Sequence, residues 1–501
     1  MSITEGAPRG GAISYSEQIR RFAKERPDHF AIRFVPVHGP EESLTYAELD
    51  AAADRLAKRF LAEGADADSM IAIALPNGVP FYVALVASWR IGACPAPLKY
   101  DFTPWEQERY IDVVKPSVIV GDWPGDLPAP RIGTAQVAAM TASPEPAPHV
   151  VDQLPRRTWA IASGGSTGRP KLIVSCRPAT LDWQFASVES AAPGDGHVQL
   201  ICTPLYHTSA LSLSVKSLTA GDTLVVIARF DAARVVEIIS RYQVTMIGLV
   251  AATMVRLLRL ADLRAEQMQS LRLVIAGAGA ISETVLRGWA DLVGAENIIV
   301  GYGASEGFGS TNIRGDELLK RPGTVGKGGA CEIRIVGEDG QARRAGEIGE
   351  IYMRAKSGDS DRFEYWGGEA PRRSEDGFVS VGDLGWVDGE GYLYIADRRT
   401  DMVKTGGVNV FPAEVEAAIL EHPGIADAVV LGLPDADWGR RLHAVLVAAD
   451  PKSPPAAQDM AAFLKARLAP QKIPKAYEFV EDLGRADTMK LNRNAMAEAR
   501  S

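Results

Sequence analysis

Short apolar runs alternating with helix-like stretches constrain the fold of this chain more than any other feature of its sequence. Met70-Ile71-Ala72-Ile73-Ala74-Leu75 reads as a buried strand, and Phe81 to Ile91 as the helix that follows it. The unit recurs: Ser117-Val118-Ile119-Val120-Gly121, Thr223-Leu224-Val225-Val226-Ile227 and Leu273-Val274-Ile275-Ala276 are short apolar strands near helical segments. Upstream, Leu44-Thr45-Tyr46-Ala47-Glu48-Leu49 opens an amphipathic helix, with Thr45 as its cap and Glu48 three residues later. Continuous apolar strands between helices predict α/β layers around a largely parallel sheet.

The character changes after about residue 325. Glu332-Ile333-Arg334-Ile335-Val336, Glu347-Ile348-Gly349-Glu350-Ile351-Tyr352-Met353 and Gly391-Tyr392-Leu393-Tyr394-Ile395 show the partial period-two alternation of a smaller antiparallel, barrel-like sheet. A polar stretch at Arg398 to Thr400 offers a boundary. The expectation is a large N-terminal domain over residues 1–399 and a small α+β C-terminal domain over 400–501.

At 501 residues the chain is too long for one ordinary domain. Its net charge of −9 argues against a nucleic-acid partner, whose phosphates call for a basic face, yet leaves room for a locally positive pocket. Cys94, Cys176, Cys202 and Cys331 are widely spaced with no CxxC pair, which favours reduced thiols over a metal cluster or disulfide framework. The start, Met1-Ser2-Ile3-Thr4-Glu5-Gly6, lacks the apolar core of a signal peptide. The apolar window Met70 to Trp89 is broken by Pro76-Asn77-Gly78 and Pro80, so no membrane span is expected. A cytoplasmic location follows as the expectation; the oligomeric state is open, an oligomer included.

Ser163-Gly164-Gly165-Ser166-Thr167-Gly168-Arg169-Pro170-Lys171 combines glycines, hydroxyls and two cations between strand-like Ala160-Ile161-Ala162 and Leu172-Ile173-Val174. Such a loop presents backbone N–H groups and a lysine to phosphate oxygens. No GK[ST] follows and no helix opens, so it reads as a hairpin clamp rather than a Walker loop, against the plainer reading of a solvated glycine turn. Gly301-Tyr302-Gly303-Ala304-Ser305-Glu306-Gly307 follows the apolar run Asn297-Ile298-Ile299-Val300. An acid just past a strand end lies where α/β folds bind ligands. There Tyr302 can stack on a base, Ser305 can reach a phosphate, and Glu306 offers hard carboxylate oxygen to Mg²⁺. A surface turn is the alternative. Asp383, in Ser380-Val381-Gly382-Asp383-Leu384-Gly385-Trp386, can accept both ribose hydroxyls or serve a turn, with Asp388 to Gly391 as the turn of the next hairpin. His207, in Pro204-Leu205-Tyr206-His207-Thr208-Ser209, either lines a pocket for an acyl group or starts a helix.

Two lysines complete the pattern: Lys404 in Asp397-Arg398-Arg399-Thr400-Asp401-Met402-Val403-Lys404-Thr405-Gly406-Gly407, and Lys490 in Thr488-Met489-Lys490-Leu491-Asn492-Arg493. Together these stretches resemble the ANL superfamily of adenylate-forming enzymes. The match is co-linear from Leu44-Thr45-Tyr46 to Leu468-Ala469-Pro470-Gln471-Lys472-Ile473-Pro474 and Lys490. The resemblance implies that Ser163, Thr167, Gly168 and Lys171 hold phosphates. It places Gly277, Ala278, Gly279 and Tyr302 around adenine, Ser305 at the α-phosphate, Glu306 on Mg²⁺, and Asp383 and Arg398 on the ribose. Lys490 would bridge carboxylate and phosphate during adenylation. A pivot at Thr400 would then bring Lys404, Gly406 and Gly407 to the site for thioester formation. Ser305 stands where threonine is commoner, Thr400 where the pivot is usually Asp or Lys, and Met489 where glycine is usual.

The implied substrates are ATP with Mg²⁺, a carboxylic acid, and coenzyme A as the separate thiol acceptor. The alternative is an adenylating enzyme that works with a carrier protein or partner enzyme. Amino-acid-selecting relatives place an aspartate in the segment at Tyr206-His207-Thr208-Ser209. None is present, and an unpaired buried ammonium would be costly, so the acid is expected to lack an α-amine. The spelling Ser163-Gly164-Gly165-Ser166 resembles ligases for bulky alicyclic, steroid-like acids; medium-to-long chains are also open.

Overall fold

A computed structural model describes residues 12–163, 170–181, 196–277, 279, 281–357, 362–367, 370–398, 401–405, 408–435, 439–485, 491 and 493–500. The chain divides into two compact units. One comprises Met1–Gly248 with the short segments Ser305–Gly307 and Asp361–Ala370; the other comprises Leu249–Ala304, Phe308–Ser360 and Pro371–Ser501.

In the first unit, Phe30–Val35, Thr223–Ile227, Val198–Ile201 and the start of Met246–Val250 pair in parallel, and Glu42–Thr45 caps one edge antiparallel. A second parallel sheet runs Cys94–Pro97, Met70–Ala74, Val118–Gly121, Arg131–Ile132. Met70–Ala74 is buried at every position, which is why it carries no polar face. The helix Tyr46–Ala62 starts where the sequence signals it. Thr45 Oγ1 accepts from the Glu48 amide at 3.2 Å, and Glu48 Oε2 accepts from the Thr45 amide at 2.7 Å.

The helix Val79–Arg90 is apolar all round and buried except at Pro80. At its end Arg90, fully buried, donates to Asp50 Oδ1 at 2.5 Å and to Ser16 Oγ at 3.0 Å, and it pairs with Asp54 at 2.9 Å. Removing one partner from a buried ion pair strands the other charge and costs about 3–5 kcal/mol. Arg20 also pairs with Asp50 and Asp54, which softens the loss. Arg90→Leu is therefore expected to destabilise this unit by roughly 3 kcal/mol. A lowered urea midpoint with unchanged slope reads that effect, and an unmoved midpoint refutes it.

The same unit carries a hairpin in which Ala160–Ser163 pairs antiparallel with Lys171–Ser175, bringing Ser163 opposite Lys171. Phe363–Trp366 adds a third strand, with Tyr365 opposite Ile173.

In the second unit, Leu273–Gly277 and Ile298–Gly303 run parallel, with Ser310–Arg314 antiparallel beside them. An antiparallel sheet follows from Cys331–Val336, Gly349–Ala355, Arg372–Arg373, Val379–Ser380, Asp383–Val387 and Leu393–Arg398. The expected turn at Asp388 to Gly391 joins the last two strands. Beyond it, Ile425–Asp435, Gly439–Ala448 and Ala476–Phe479 form a sheet covered by the helices Pro412–Leu420 and Ala457–Lys465. Val403, Val415, Ile419, Val430, Leu446 and Leu464 share one core there. The fold is α/β with the antiparallel element expected from the alternation after residue 325. Cys94, Cys176, Cys202 and Cys331 form no disulfide among the described residues. Among the described residues no helix is long and apolar enough to cross a membrane.

Candidate active site

Two groups of side chains gather the residues expected to act, one in each unit. In the first, Glu306 follows the strand Ile298–Gly303 and is 8 % exposed. Its Oε1 accepts a hydrogen bond of 2.5 Å from the Tyr365 hydroxyl. The Lys171 ammonium lies 3.8 Å from the centroid of the Tyr365 ring, a cation–π contact. Lys171, the first residue of the hairpin's second strand, thus delivers a positive charge to the ring that orients the Glu306 carboxylate. Ser305, next in sequence, accepts a 2.8 Å hydrogen bond from the Thr208 hydroxyl. Thr208 opens the helix Thr208–Ala220, and His207 stands at its cap position with its ring 4.3 Å from that of Tyr206. The helix-start reading of His207 is thus correct for its backbone, and its ring packs against that of Tyr206.

In the second group, the Tyr302 hydroxyl donates to Asp383 Oδ2 at 2.6 Å. The bond ties the end of the Tyr302 ring to the Asp383 carboxylate. Asp383, 8 % exposed, is the first residue of a strand rather than part of a turn, because its backbone pairs in register with Arg398. The turn falls to Gly382, at φ +89°. The two residues expected at a ribose are therefore cross-strand neighbours. Gly277 ends its strand so close to Gly301 that an added Cβ would stand 3.1 Å from the Gly301 carbonyl oxygen. Gly279 is exposed. Lys404 lies in the strand Val403–Thr405, opposite Asn409. The side chains of Ser163, Arg398 and Lys404, and the residues Thr167, Gly168, Ala278, Gly406, Gly407 and Lys490, lie outside what the structure describes.

Glu306 suits magnesium. With Oε1 held by Tyr365, its Oε2 has no protein donor among the described residues. No cluster of three metal-ligating side chains occurs among them either. One carboxylate completed by substrate oxygens is a usual magnesium arrangement.

Sequence reading missed Tyr365 and the bonding role of Thr208, because both act on residues far away in the chain. It also passed over Gln199, which is fully buried with neither amide atom hydrogen-bonded. Each unmet buried polar group costs about 1–3 kcal/mol, so this side chain calls for a reason. At the far end of the Thr208–Ala220 helix, burial pushes the Lys216 ammonium below its usual pKa and the Asp222 carboxyl above its own.

The AMP-binding enzyme family model matches residues 19–358, and the AMP-binding enzyme C-terminal domain model matches residues 414–490. Over 488 residues the chain is 30 % identical to the long-chain-fatty-acid–CoA ligase FadD13 of Mycobacterium tuberculosis, covering 91 % of this chain and 93 % of that protein. Among solved structures, it superposes on the o-succinylbenzoate CoA synthetase MenE of Bacillus subtilis in complex with its acyl-adenylate intermediate. The TM-score is 0.80 at 27 % identity, with 96 % of this chain and 97 % of that one covered. The same synthetase in complex with ATP and magnesium gives a TM-score of 0.77 at 26 % identity, covering 95 % and 98 %. This chain belongs to the AMP-binding enzyme family, the adenylate-forming enzymes of the ANL superfamily.

Proposed function

We propose that the protein is an AMP-forming acyl-CoA ligase acting on a carboxylic acid without an α-amine. In the first step an acid oxygen attacks the α-phosphorus of ATP, the bond to the β-phosphate bridge oxygen breaks, and pyrophosphate leaves. In the second the coenzyme A sulfur attacks the acyl carbonyl, the carbonyl–phosphate bond breaks, AMP leaves, and the thiol proton passes to solvent. The observation that carries this reading is the buried Glu306 carboxylate held by Tyr365, beside a serine hydroxyl already bonded to a helix N-terminus.

Each group has a part. Tyr365 orients Glu306, and Lys171 adds positive charge where phosphates gather. The N–H groups at the start of Thr208–Ala220 favour negative charge nearby. Tyr302 and Asp383 hold the nucleoside, the tyrosine by its ring and the aspartate by the ribose hydroxyls. Bound magnesium offsets charge between the two approaching anions. Lys490 serves adenylation, while Lys404, Gly406 and Gly407 serve thioester formation after residues 400–501 turn about Thr400 relative to 1–399. Cysteines without disulfides fit a reducing compartment such as the cytoplasm.

The second reading assigns the thioester step to a carrier protein or partner enzyme. Mass spectrometry of products with ATP, acid and coenzyme A separates the two. Wild-type protein that accumulates acyl adenylate and forms no thioester at saturating coenzyme A overturns the ligase. Gly407→Leu is expected to leave acid-dependent pyrophosphate release nearly intact. It should lower acyl-CoA formation by about 10²-fold, because a bulky side chain displaces the approaching thiol. Equal loss of both steps refutes that role for Gly407.

A further inference from the structure

Resting on the ligase reading, we propose that Gln199 reads a neutral oxygen, hydroxyl or keto, at the end of the acid remote from its reacting carboxyl. The direction of its side chain follows from register. Gln199 lies beside Leu224 on one neighbouring strand and Met246 on the other, so all three share a sheet face. Leu224 belongs to the core formed with Leu211, Val215 and Leu218 of the helix Thr208–Ala220. Gln199 therefore points beneath the same helix whose first residue is bonded to Ser305.

That face is lined mainly by apolar side chains. Ile201, two residues on, is buried in the same core. The buried side of the helix mixes Ala210, Ser214 and Ser217 with Leu211, Val215 and Leu218. The Ser214 hydroxyl is turned onto its own helix, donating to the Leu211 carbonyl at 2.9 Å. Leucine at position 199 would satisfy a sealed core better than an amide with both ends unmet. An amide belongs there when a ligand supplies its partners.

The chemistry of that ligand is bounded. Gln199 lies two residues inside the strand end at Ile201, roughly 7 Å below the level where α/β sheets bind ligands. It thus meets the far end of an acid whose carboxyl stays near Ser305. An amide is neutral, so an ionised second carboxylate buried against it would go uncompensated. A saturated tail would leave the amide unmet. A hydroxyl or keto oxygen satisfies it.

The test compares wild type with Gln199→Leu, and with Gln199→Met as a second variant of similar length. The probes are ω-hydroxy fatty acids and keto-steroid acids, each beside its unsubstituted parent. Two readouts are taken: kcat/KM by pyrophosphate release, and the shift in Tm caused by each acid with a non-hydrolysable ATP analogue. Wild type is expected to prefer the oxygenated acid by about tenfold or more, and the variants to lose or reverse that preference in both readouts. The same preference in wild type and both variants overturns the proposal, as does a wild type that favours the parent acids. So does a variant that merely gains Tm without ligand while its selectivity stays put, because Gln199 would then be a strained core residue. Pyrophosphate release with unaltered selectivity refutes the role of Gln199 and keeps the ligase. Tm selectivity lost in the variants, without pyrophosphate release from any acid, supports the role of Gln199 and refutes the ligase.

Discussion

Lys490→Ala lowers acid-dependent pyrophosphate release by about 10²–10³-fold, the loss expected when one donor facing developing negative charge is removed. Conversion of a supplied acyl adenylate to thioester is spared. The asymmetry follows from the chemistry. Attack of a carboxylate on the α-phosphate drives two anions together, so a cation between them stabilises the transition state more than the separated substrates. Attack of a thiol on an acyl adenylate has no such collision to relieve. Lys490 and Lys404 stand 86 residues apart in the sequence, on either side of a region with its own core. That spacing suits a domain presenting one lysine per half-reaction. Stopped-flow measurement of each half-reaction separately reads the result. Equal damage to both would mean that Lys490 supports the fold of the C-terminal region and not the first step.

Most of the regular structure was legible because its signals are local. Thr45 and Glu48 make the cap that their spacing announces, and Ala160–Ser163 with Lys171–Ser175 makes the hairpin predicted around the glycine-rich loop. The site itself was legible only one residue at a time. Tyr302 and Asp383 were each read as nucleotide contacts, but their mutual bond spans 81 positions. Tyr365 left no mark at all. It lies in a short strand whose importance comes from pairing with Lys171–Ser175 and from reaching Glu306, 59 positions away. Asp383 was open to a turn reading because the glycine before it signals a bend, whereas cross-strand pairing with Arg398 decides its conformation. The compact units also escape a linear reading. Segments 305–307 and 361–370 join the first unit although the sequence around them belongs to the second. Gln199 was invisible for the opposite reason: inside a short apolar strand a polar residue looks like an ordinary exception until its burial is known.

Glu306→Gln and Tyr365→Phe together test how the buried carboxylate is used. An amide is a poor ligand for a hard cation, so Glu306→Gln is expected to slow adenylation by about 10²-fold and to raise the Mg²⁺ concentration needed for half-maximal rate. Tyr365→Phe keeps the ring over which Lys171 sits and removes only the hydroxyl that donates to Oε1. Freed from that bond, the carboxylate can still bind the cation but is no longer held in one orientation. The expected loss is smaller, about tenfold, at the lower end of what removal of a residue supporting a metal ligand costs. The Mg²⁺ titration should move in the same direction as for Glu306→Gln, by less. The double variant separates support from independent action. If Tyr365 acts through Glu306, adding Tyr365→Phe to Glu306→Gln costs little more than Glu306→Gln alone. Full additivity would mean that the tyrosine meets substrate by itself. An unmoved Mg²⁺ titration in both single variants would remove the metal from Glu306 and leave the Tyr365–Glu306 bond a structural tie.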